Sequence, residues 1–391
     1  MTSHIDKAIS LRGESITFVV SSTYQLLMSH VLLESFRCAK KRYLVVSDLL
    51  GDYEGVTAKL RDLAVWDEIV VVRYHTGQKN SKAVFPKINE HWHLKNEIDK
   101  IVQKLDCRDV CVFSHGDPVA VLFECSEYIQ QKFLGEDGSF PYYSGVGSYD
   151  SRPNFTKALS LEKNFIKRLG LVARYMVKKL FAKHLLVDHC TRIDRIVLTK
   201  PHLLKDKKDK ILPPIVEAVL SNEGLEFAFN NLSKIYDYKA GENNAYCDVD
   251  IVFFDSELYL NNDFDQRKQV TFIVNFLSQF EGKKILIKLS PLINQERDDY
   301  FFDFTKHLDN IVIDKKNAKI PWEVVYFNNL DHLSECVFIS QRCTACFSPY
   351  LLFGKKTKII NIGSDILSHD VYPDFVVQDT LLYEEFLSTF K

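Results

Sequence analysis

The chain has 391 residues, of which 46% are hydrophobic, and a formal net charge of -2. This length suggests two domains of ordinary size, each with enough apolar residues for a core of its own. A nearly neutral chain is not a polyanion binder by overall charge, so nucleic acid is not an expected partner. The nine cysteines show no paired metal-binding spacing, and we expect reduced packing residues of a cytosolic protein.

The first residues do not resemble a targeting segment. Residues 1–12 are polar and contain Asp6, unlike the apolar core of a secretory signal. No apolar run reaches the roughly 18 residues that a membrane-spanning helix needs. We therefore predict a cytoplasmic protein, with peripheral contact to the inner membrane as the alternative.

Strands and helices alternate along the first half of the chain. Short β-branched and aromatic runs predict strands at 16–20, 42–47, 68–72, 110–114 and 193–198. Helical spacing of apolar residues predicts helices at 25–39, 55–63, 94–105, 120–133 and 211–234. Such alternation is typical of parallel strands joined by helical crossovers.

A long basic segment follows the acidic turn described below. Residues 156–186 have helical spacing, and the excess of Lys and Arg extends over residues 163–210. This stretch is either the solvated face of a helix or a patch for an anionic acceptor or a membrane surface.

A polar segment, 238–246, separates this half from a second alternation and predicts an interdomain linker. The second half predicts strands at 249–254, 284–289, 323–326, 335–340 and 358–362, and helices at 266–280, 298–308, 343–353 and 380–390. We therefore predict an α/β protein with two Rossmann-like domains, 1–240 and 241–391, facing a central cleft.

Two neighbouring carboxyl groups, Glu136 and Asp137, precede Gly138 in a short turn. Asp and Gly favour turns, so the turn should end the predicted helix 120–133 and lie on a loop of the sheet. Loops of α/β sheets are where such folds place their chemistry, although a solvated acidic turn is the simpler interpretation.

The second half contains polar residues at two strand ends. Ser340 and Thr344 flank a strand-to-helix transition, where free N–H groups and hydroxyls suit an anion. Lys288 and Ser290 lie at the end of another strand. Because both ends open onto one edge of a parallel sheet, they favour a nucleotide-phosphate site over simple helix caps.

Five short motifs occur in an order that resembles a known family. They read Ser22-Thr23-Tyr24-Gln25-Leu26-Leu27, Glu136-Asp137-Gly138, Lys288-Leu289-Ser290-Pro291, Pro321-Trp322-Glu323, and Ser340 to Thr344. The chain resembles the bacterial sialyltransferases and polysialyltransferases of the GT-B fold. The resemblance covers most of the chain, with short motifs in the matching halves.

This resemblance implies an inverting, metal-independent transfer of a sialic acid or related nonulosonic acid from its CMP-activated form to a glycan hydroxyl. Glu136 or Asp137 would act as the general base. Apart from the resemblance, Asp255 and Glu257 are reserve candidates, because they lie at a strand end in the second half. The acceptor would be a bacterial surface glycan such as capsule or lipooligosaccharide. No cofactor is expected beyond the donor substrate.

The resemblance also implies which residues hold the CMP group. The phosphate would lie near Ser340 and Thr344, and Lys288 would add positive charge. Pro321 and Glu323 would hold the ribose or the cytosine, with the Glu323 carboxylate accepting hydrogen bonds from hydroxyl groups.

One position departs from the family pattern, because Ser290 stands where the family has a His that assists the leaving phosphate. A Ser hydroxyl donates a hydrogen bond but is not a comparable acid at neutral pH. The alternatives are therefore a GT-B transferase that uses CMP-Kdo or a UDP- or GDP-sugar, and a non-catalytic nucleotide- or glycan-binding relative.

Overall fold

The computed structural model describes residues 9–74, 84–114, 117–139, 141–142, 193–204, 213–239, 246–256, 266–290, 295–368 and 374–388. The predicted basic helix 156–186 lies outside these residues, as does most of the basic stretch 163–210. Within the described chain, no helix combines the length and the apolar character needed to cross a membrane.

The first half of the described chain forms a parallel sheet of seven strands. They are β1 (Ser15–Val20), β2 (Lys41–Ser47), β3 (Glu68–Val72), β4 (Asp109–Val112), β5 (Gln131–Gly135), β6 (Arg195–Leu198) and β7 (Ile215–Glu217). Their order across the sheet is β3-β2-β1-β4-β5-β6-β7. All six residues of β1 are buried, as expected for a central strand of a parallel sheet, which is covered on both faces.

Helices connect these strands. They are α1 (Thr23–Val31), α2 (Tyr53–Asp62), α3 (Val84–Lys104), α4 (Pro118–Glu124) and α5 (Asn222–Ile235), with 3-10 turns at Leu32–Glu34 and Pro201–Leu203. Helix α1 begins where the Ser22 hydroxyl accepts a hydrogen bond from the Gln25 N–H. This cap ties the start of α1 to the end of β1.

The second half forms a separate parallel sheet of five strands. They are β8 (Ile251–Phe254), β9 (Ile285–Lys288), β10 (Ile311–Asp314), β11 (Val337–Ser340) and β12 (Lys358–Asn361), in the order β10-β9-β8-β11-β12. The helices are α6 (Gln266–Leu277), α7 (Gln295–Thr305), α8 (Trp322–Asn328), α9 (Leu330–Leu333), α10 (Ser348–Phe353), α11 (Gly363–Leu367) and α12 (Asp374–Ser388), with a 3-10 turn at Thr344–Cys346. Strand residues Phe253, Ile287 and Ile339 are completely buried in its core.

The two parallel sheets confirm the predicted fold class, because each has the strand–helix alternation of a Rossmann-like α/β domain. Two such domains in one chain are the components of a GT-B fold. The contacts divide the chain between Ala228 and Phe229, inside α5, and place Gly138 and Ser139 with the second unit.

This division differs from the expected boundary at 240/241. Tyr238 and Tyr246, the two ends of the predicted linker, are both buried in the second unit. The Tyr238 hydroxyl accepts a hydrogen bond from Asn329 at 2.6 Å, and the Tyr246 hydroxyl donates one to Asp314. Local polarity suggested a linker, but these aromatic side chains pack into the second core.

Two elements of the first half differ from the prediction. The predicted helix 120–133 is a short helix, α4, followed by strand β5, which pairs with β4 and β6. Likewise, the predicted helix 211–234 contains strand β7 before α5 begins. In both places a short apolar run fits a helix and a strand equally well, and pairing with a neighbouring strand decides between them.

Two elements of the second half differ as well. The predicted strand 323–326 is helix α8, and strand β10 was not predicted. The adjacent Val324 and Val325 suggested a strand, but both are fully buried on a short helix. Burial against the core therefore overrides the weak strand preference of β-branched residues.

The prediction of reduced cysteines is wrong at one position. Seven cysteines of the described chain are free, whereas Cys125 is disulfide-bonded. Burial raises the pKa of the Cys107 thiol to about 12, so Cys107 is a protonated packing residue as expected.

Candidate functional site

Each sheet has one point at which the strand order reverses. In the first sheet, β2 and β3 lie on one side of β1 and β4 to β7 lie on the other. In the second sheet, β9 and β10 lie on one side of β8 and β11 and β12 lie on the other. Open parallel sheets bind ligands at the carboxyl ends of their strands at this point. The polar residues that follow β1, β4 and β5, and those that follow β8 and β11, are therefore the candidate site residues.

Asp137 follows β5 and is held by the first turn of α1. The Gln25 Nε2 donates a hydrogen bond to Asp137 Oδ2 at 3.3 Å. The Gln25 Oε1 in turn accepts hydrogen bonds from the Ser21 N–H at 2.9 Å and the Ser21 hydroxyl at 3.0 Å. A chain of hydrogen bonds thus connects the end of β1 to the carboxyl group that follows β5.

The surroundings of Asp137 favour its protonated form. Burial, assisted by the negative charge of Asp117, raises the pKa of Asp137 to about 6, against the opposing effect of the Gln25 hydrogen bond. Asp137 is nevertheless partly exposed. A carboxyl group of this pKa is ionised at neutral pH and is still basic enough to take a proton from a substrate.

The neighbouring Glu136 has a different environment. Its side chain is completely buried. Its Oε2 accepts hydrogen bonds from the Thr199 N–H at 2.8 Å and the Thr199 hydroxyl at 2.7 Å, and its Oε1 lies 3.5 Å from the Tyr24 hydroxyl. Glu136 therefore fastens the end of β5 to the end of β6, and Asp137 is the accessible member of the pair.

Gly138 adopts a left-handed conformation, with φ of 68°, and packs against Thr344. A Cβ atom at this position would lie 2.6 Å from Thr344 Oγ1 and 3.0 Å from Thr344 Cγ2. The next N–H, that of Ser139, donates a hydrogen bond to the same Oγ1 at 3.2 Å. The turn predicted at Gly138 is therefore shaped by the absence of a side chain.

We expect Gly138→Ala to destabilise the fold by about 1–3 kcal/mol, because it adds a left-handed alanine and a steric clash. Urea unfolding measures the loss. Combining it with Thr344→Ala, which removes the clashing atoms, should recover part of the loss and leave only the backbone cost of about 1 kcal/mol. Equal losses in the single and double variants would exclude the clash with Thr344.

In the second unit, the ends of β8 and β11 meet at the reversal point. The Arg342 N–H donates a hydrogen bond to the Ser256 hydroxyl at 3.3 Å. Asp255, one residue earlier, is paired with Arg297, and both side chains are almost completely buried. This pairing occupies the carboxylate of Asp255, so Asp255 is a structural residue of the second unit. Glu257, the other reserve base, lies outside the described residues.

Lys288 ends β9 and is buried. Its ammonium group donates hydrogen bonds to the carbonyl oxygens of Asn317 at 2.7 Å and Ala318 at 2.8 Å. Burial lowers the pKa of Lys288 to about 8, while the charges of Asp314 and Glu323 act in the opposite direction. Lys288 therefore holds the loop after β10 in place.

Pro321 and Glu323 lie at the start of α8, not before a strand. Both are buried. Burial raises the pKa of the Glu323 carboxyl, although a hydrogen bond with Ser348 and the charge of Lys288 favour its ionised form. Pro321 and Glu323 are thus buried at the start of α8, and the charge of Glu323 acts on Lys288 at the end of β9.

Ser340, Thr344 and Ser290 differ in their exposure. Ser340 is the last residue of β11 and is completely buried. Thr344 begins a 3-10 turn and is partly exposed, with its hydroxyl 3.2 Å from the Ser139 hydroxyl. Ser290 follows β9 and is also partly exposed. Of the residues predicted at the nucleotide-phosphate site, Thr344 and Ser290 are therefore the partly exposed ones.

Two site residues escaped the sequence analysis. Gln25 belongs to the first motif, residues 22–27, but its contact with Asp137 depends on how the strands are ordered in the sheet.

Gln341, the second residue, follows β11 directly, and its completely buried amide has neither its donor nor its acceptor paired within the described chain. A polar residue immediately after a predicted buried strand was the available signal for Gln341. An unpaired buried amide is costly, which suits a group with a ligand-dependent role.

Among the described residues, no group of three or more His, Cys, Asp and Glu side chains is arranged to hold a metal ion. The expected metal independence of the reaction remains a prediction.

Comparisons with known proteins give matches in structure and not in sequence. No family model matches the chain, and no curated protein is similar to it in sequence. The chain is similar in structure to an α/β-galactoside α-2,3-sialyltransferase from Photobacterium phosphoreum, at 9% identity and a TM-score of 0.46, over 96% of both chains. It is also similar to a sialyltransferase from Photobacterium damsela, at 12% identity and a TM-score of 0.43, over 94% of this chain and 79% of the other. A UDP-GlcNAc 2-epimerase from Neisseria meningitidis matches at 10% identity and a TM-score of 0.48, over 90% of this chain and 85% of the other.

Proposed function

We propose that the protein is a metal-independent, inverting glycosyltransferase of the bacterial cytoplasm. It moves a sialic acid or related nonulosonic acid from a CMP-activated donor to a hydroxyl of a surface glycan such as capsule or lipooligosaccharide. The observation that carries this proposal is the Asp137 carboxyl group, which is partly exposed at the carboxyl edge of the first sheet and has its pKa raised to about 6.

In this proposal Asp137 acts as the general base. The acceptor hydroxyl loses its proton to the carboxylate as its oxygen attacks the anomeric carbon of the donor. The bond from that carbon to the CMP phosphate breaks, and its electron pair leaves with the phosphate. Since Glu136 is occupied by Thr199, it supports the loop and does not take the proton.

The second unit would bind the nucleotide at the carboxyl ends of its strands. Thr344 is partly exposed at the start of a 3-10 turn, where its hydroxyl also contacts Ser139. The buried amide of Gln341 has an unpaired donor and acceptor among the described residues. Lys288, Pro321, Glu323 and Ser340 are buried, so we assign them the role of shaping the site. Ser290 would donate a hydrogen bond to the leaving phosphate in place of a general acid.

The proposed location is the inner face of the cytoplasmic membrane, where acceptor glycans carried on lipids would be accessible. The basic stretch 163–210 supports this location, because Lys and Arg residues bind anionic headgroups.

A thermal-shift titration tests the donor. CMP should stabilise the protein by about 2.7 kcal/mol at a hundred times its Kd, and UDP or GDP at the same concentration should stabilise it less. Thr344→Val should weaken CMP binding by about tenfold, because one hydrogen bond to a charged phosphate is lost.

Thr271→Val is the matched control, because the exposed Thr271 hydroxyl donates a hydrogen bond to the Arg267 carbonyl of its own helix, α6. Stronger stabilisation by UDP or GDP than by CMP would overturn the choice of donor. If no nucleotide stabilises the protein, the proposal of a nucleotide-sugar transferase fails.

A further inference from the structure

The amide of Gln25 has a fixed orientation. Gln25 is only 4% exposed, and its oxygen accepts two hydrogen bonds, both from Ser21. Since an N–H and a hydroxyl both donate to this atom, it must be the amide oxygen. The amide nitrogen therefore faces Asp137, and it donates to Oδ2 at 3.3 Å.

Asp117 approaches Asp137 from a different element. It follows β4, is 6% exposed, and caps α4 by accepting a hydrogen bond from the Val119 N–H at 2.9 Å. β4, which Asp117 follows, is paired with β5, and the charge of Asp117 acts on Asp137. Burial raises the pKa of the Asp117 carboxyl, whereas the hydrogen bond from the Val119 N–H favours its ionised form.

Three other titratable groups in this part of the described chain have partners of their own. Glu136 is bound by Thr199, and Tyr24 lies against Glu136. Asp48, at the end of β2, accepts a hydrogen bond from the Tyr74 N–H at 2.8 Å, and its charge acts on Asp117. Among the described residues, the groups that act on Asp137 directly are one hydrogen-bond donor, Gln25, and one like charge, Asp117.

We propose that Gln25 and Asp117 are positioning residues with opposite effects on Asp137: Gln25 aims the carboxylate and favours its ionised form, whereas Asp117 favours its protonated form. Together they set the pH range in which Asp137 can accept a proton. The inference rests on the proposed function for the role of Asp137 as a base. Its titration, in contrast, is a property of the free protein and needs no substrate.

The physical reason is that a hydrogen bond donated to a carboxylate stabilises the charge, whereas a nearby like charge destabilises it. Oδ2 is held by Gln25, so Oδ1 is left to meet the acceptor hydroxyl. Loss of the Gln25 amide should therefore change both the titration of Asp137 and the geometry of proton transfer.

Carbon-13 NMR of aspartate carboxyl groups in the free protein tests the proposal, with Asp137→Asn identifying the Asp137 signal. Gln25→Met removes the donor at similar volume and should raise the titration midpoint by about 0.5–1 pH unit. Asp117→Asn keeps the cap of α4 and removes the charge, so it should lower the midpoint by a similar amount.

Gln25→Glu is a second variant in case Gln25→Met does not fold. It retains the shape and adds a negative charge beside Asp137, so the midpoint should rise further than in Gln25→Met. Gln103→Met, at an exposed position of α3, is the matched control and should leave the midpoint unchanged.

The inference is wrong if the Gln25 variant and Asp117→Asn both leave the midpoint unchanged, or if both shift it in the same direction. Gln25→Glu takes the place of Gln25→Met in this comparison if Gln25→Met does not fold. In a transfer assay, the acid limb of the pH profile of kcat/KM should move with the NMR midpoint, and Gln25→Met should also have a lower plateau. Opposite NMR shifts without any transfer activity would retain the inference and reject the proposed function.

Discussion

Replacing Asp137 by Asn is expected to lower the rate of sugar transfer by on the order of 10²–10⁴-fold, because the acceptor hydroxyl loses its general base. Asn keeps the shape of Asp and can still accept a hydrogen bond from Gln25. The measurement is transfer from a CMP-activated donor, with CMP affinity as the check that the nucleotide site is intact.

Glu136→Gln is the matched control, because it makes the same chemical change one residue earlier. Glu136 is buried against Thr199, so this variant should lose stability but retain transfer within about tenfold per folded molecule. An inactive Glu136→Gln beside a nearly normal Asp137→Asn would make Glu136 the base. Nearly normal rates in both variants would show that neither carboxylate of the turn is the general base.

The pH dependence of the wild-type rate follows from the pKa of Asp137, which is raised to about 6. The base must be ionised, so kcat/KM should rise with pH up to about 6 and level off above it. At pH 5 the rate should be about a tenth of the plateau. A profile that is flat from pH 5 to 8 would contradict this assignment.

The raised pKa of Asp137 also makes the stability of the fold depend on pH. Because the folded pKa of Asp137 lies above its unfolded value, the stabilisation by its protonated form is present below about pH 4 and is lost as the pH rises through 6. Asp137→Asn should therefore stabilise the fold at pH 8 by about 1–2 kcal/mol relative to the wild type, but not at pH 4. A less active but more stable variant would exclude unfolding as the cause of the lost rate.

The second large effect is expected at Arg297, in the second unit. Its guanidinium group donates hydrogen bonds to both Asp255 oxygens, at 2.7–3.0 Å, and to Gln269 Oε1 at 3.1 Å. Arg297→Met should cost about 3–5 kcal/mol of unfolding free energy, because it leaves a buried carboxylate without its partner. Urea unfolding followed by circular dichroism measures this loss.

Two further variants separate the contribution of the Arg297–Asp255 ion pair from the other effects of the substitution. Adding Asp255→Asn to Arg297→Met removes the unpaired charge and should recover at least half of the loss. Arg61→Met, at an exposed position of α2, makes the same change on the surface and should cost less than about 0.5 kcal/mol. A cost below about 1 kcal/mol for Arg297→Met would show that the pair contributes little.

Much of the fold was predictable because parallel strands are buried on both faces and are therefore continuously apolar. β1, β2, β8 and β11 all follow this pattern, and each was predicted within two residues. Two of the failures, at β5 and α8, concern apolar runs of only two residues, 133–134, and four residues, 324–327. These runs are too short for periodicity to decide, and contacts with distant strands or with the core decided their structure.

The sequence by itself determined that Glu136, Asp137 and Gly138 form a turn, because Asp and Gly disfavour the continuation of regular structure. Only the tertiary structure decided what each residue of the turn does. Strand β6 lies beside β5, so Thr199 binds Glu136, and α1 follows the central strand β1, so Gln25 reaches Asp137. These neighbours are 63 and 112 residues away along the chain, and local sequence patterns contain no information about strand order over such distances.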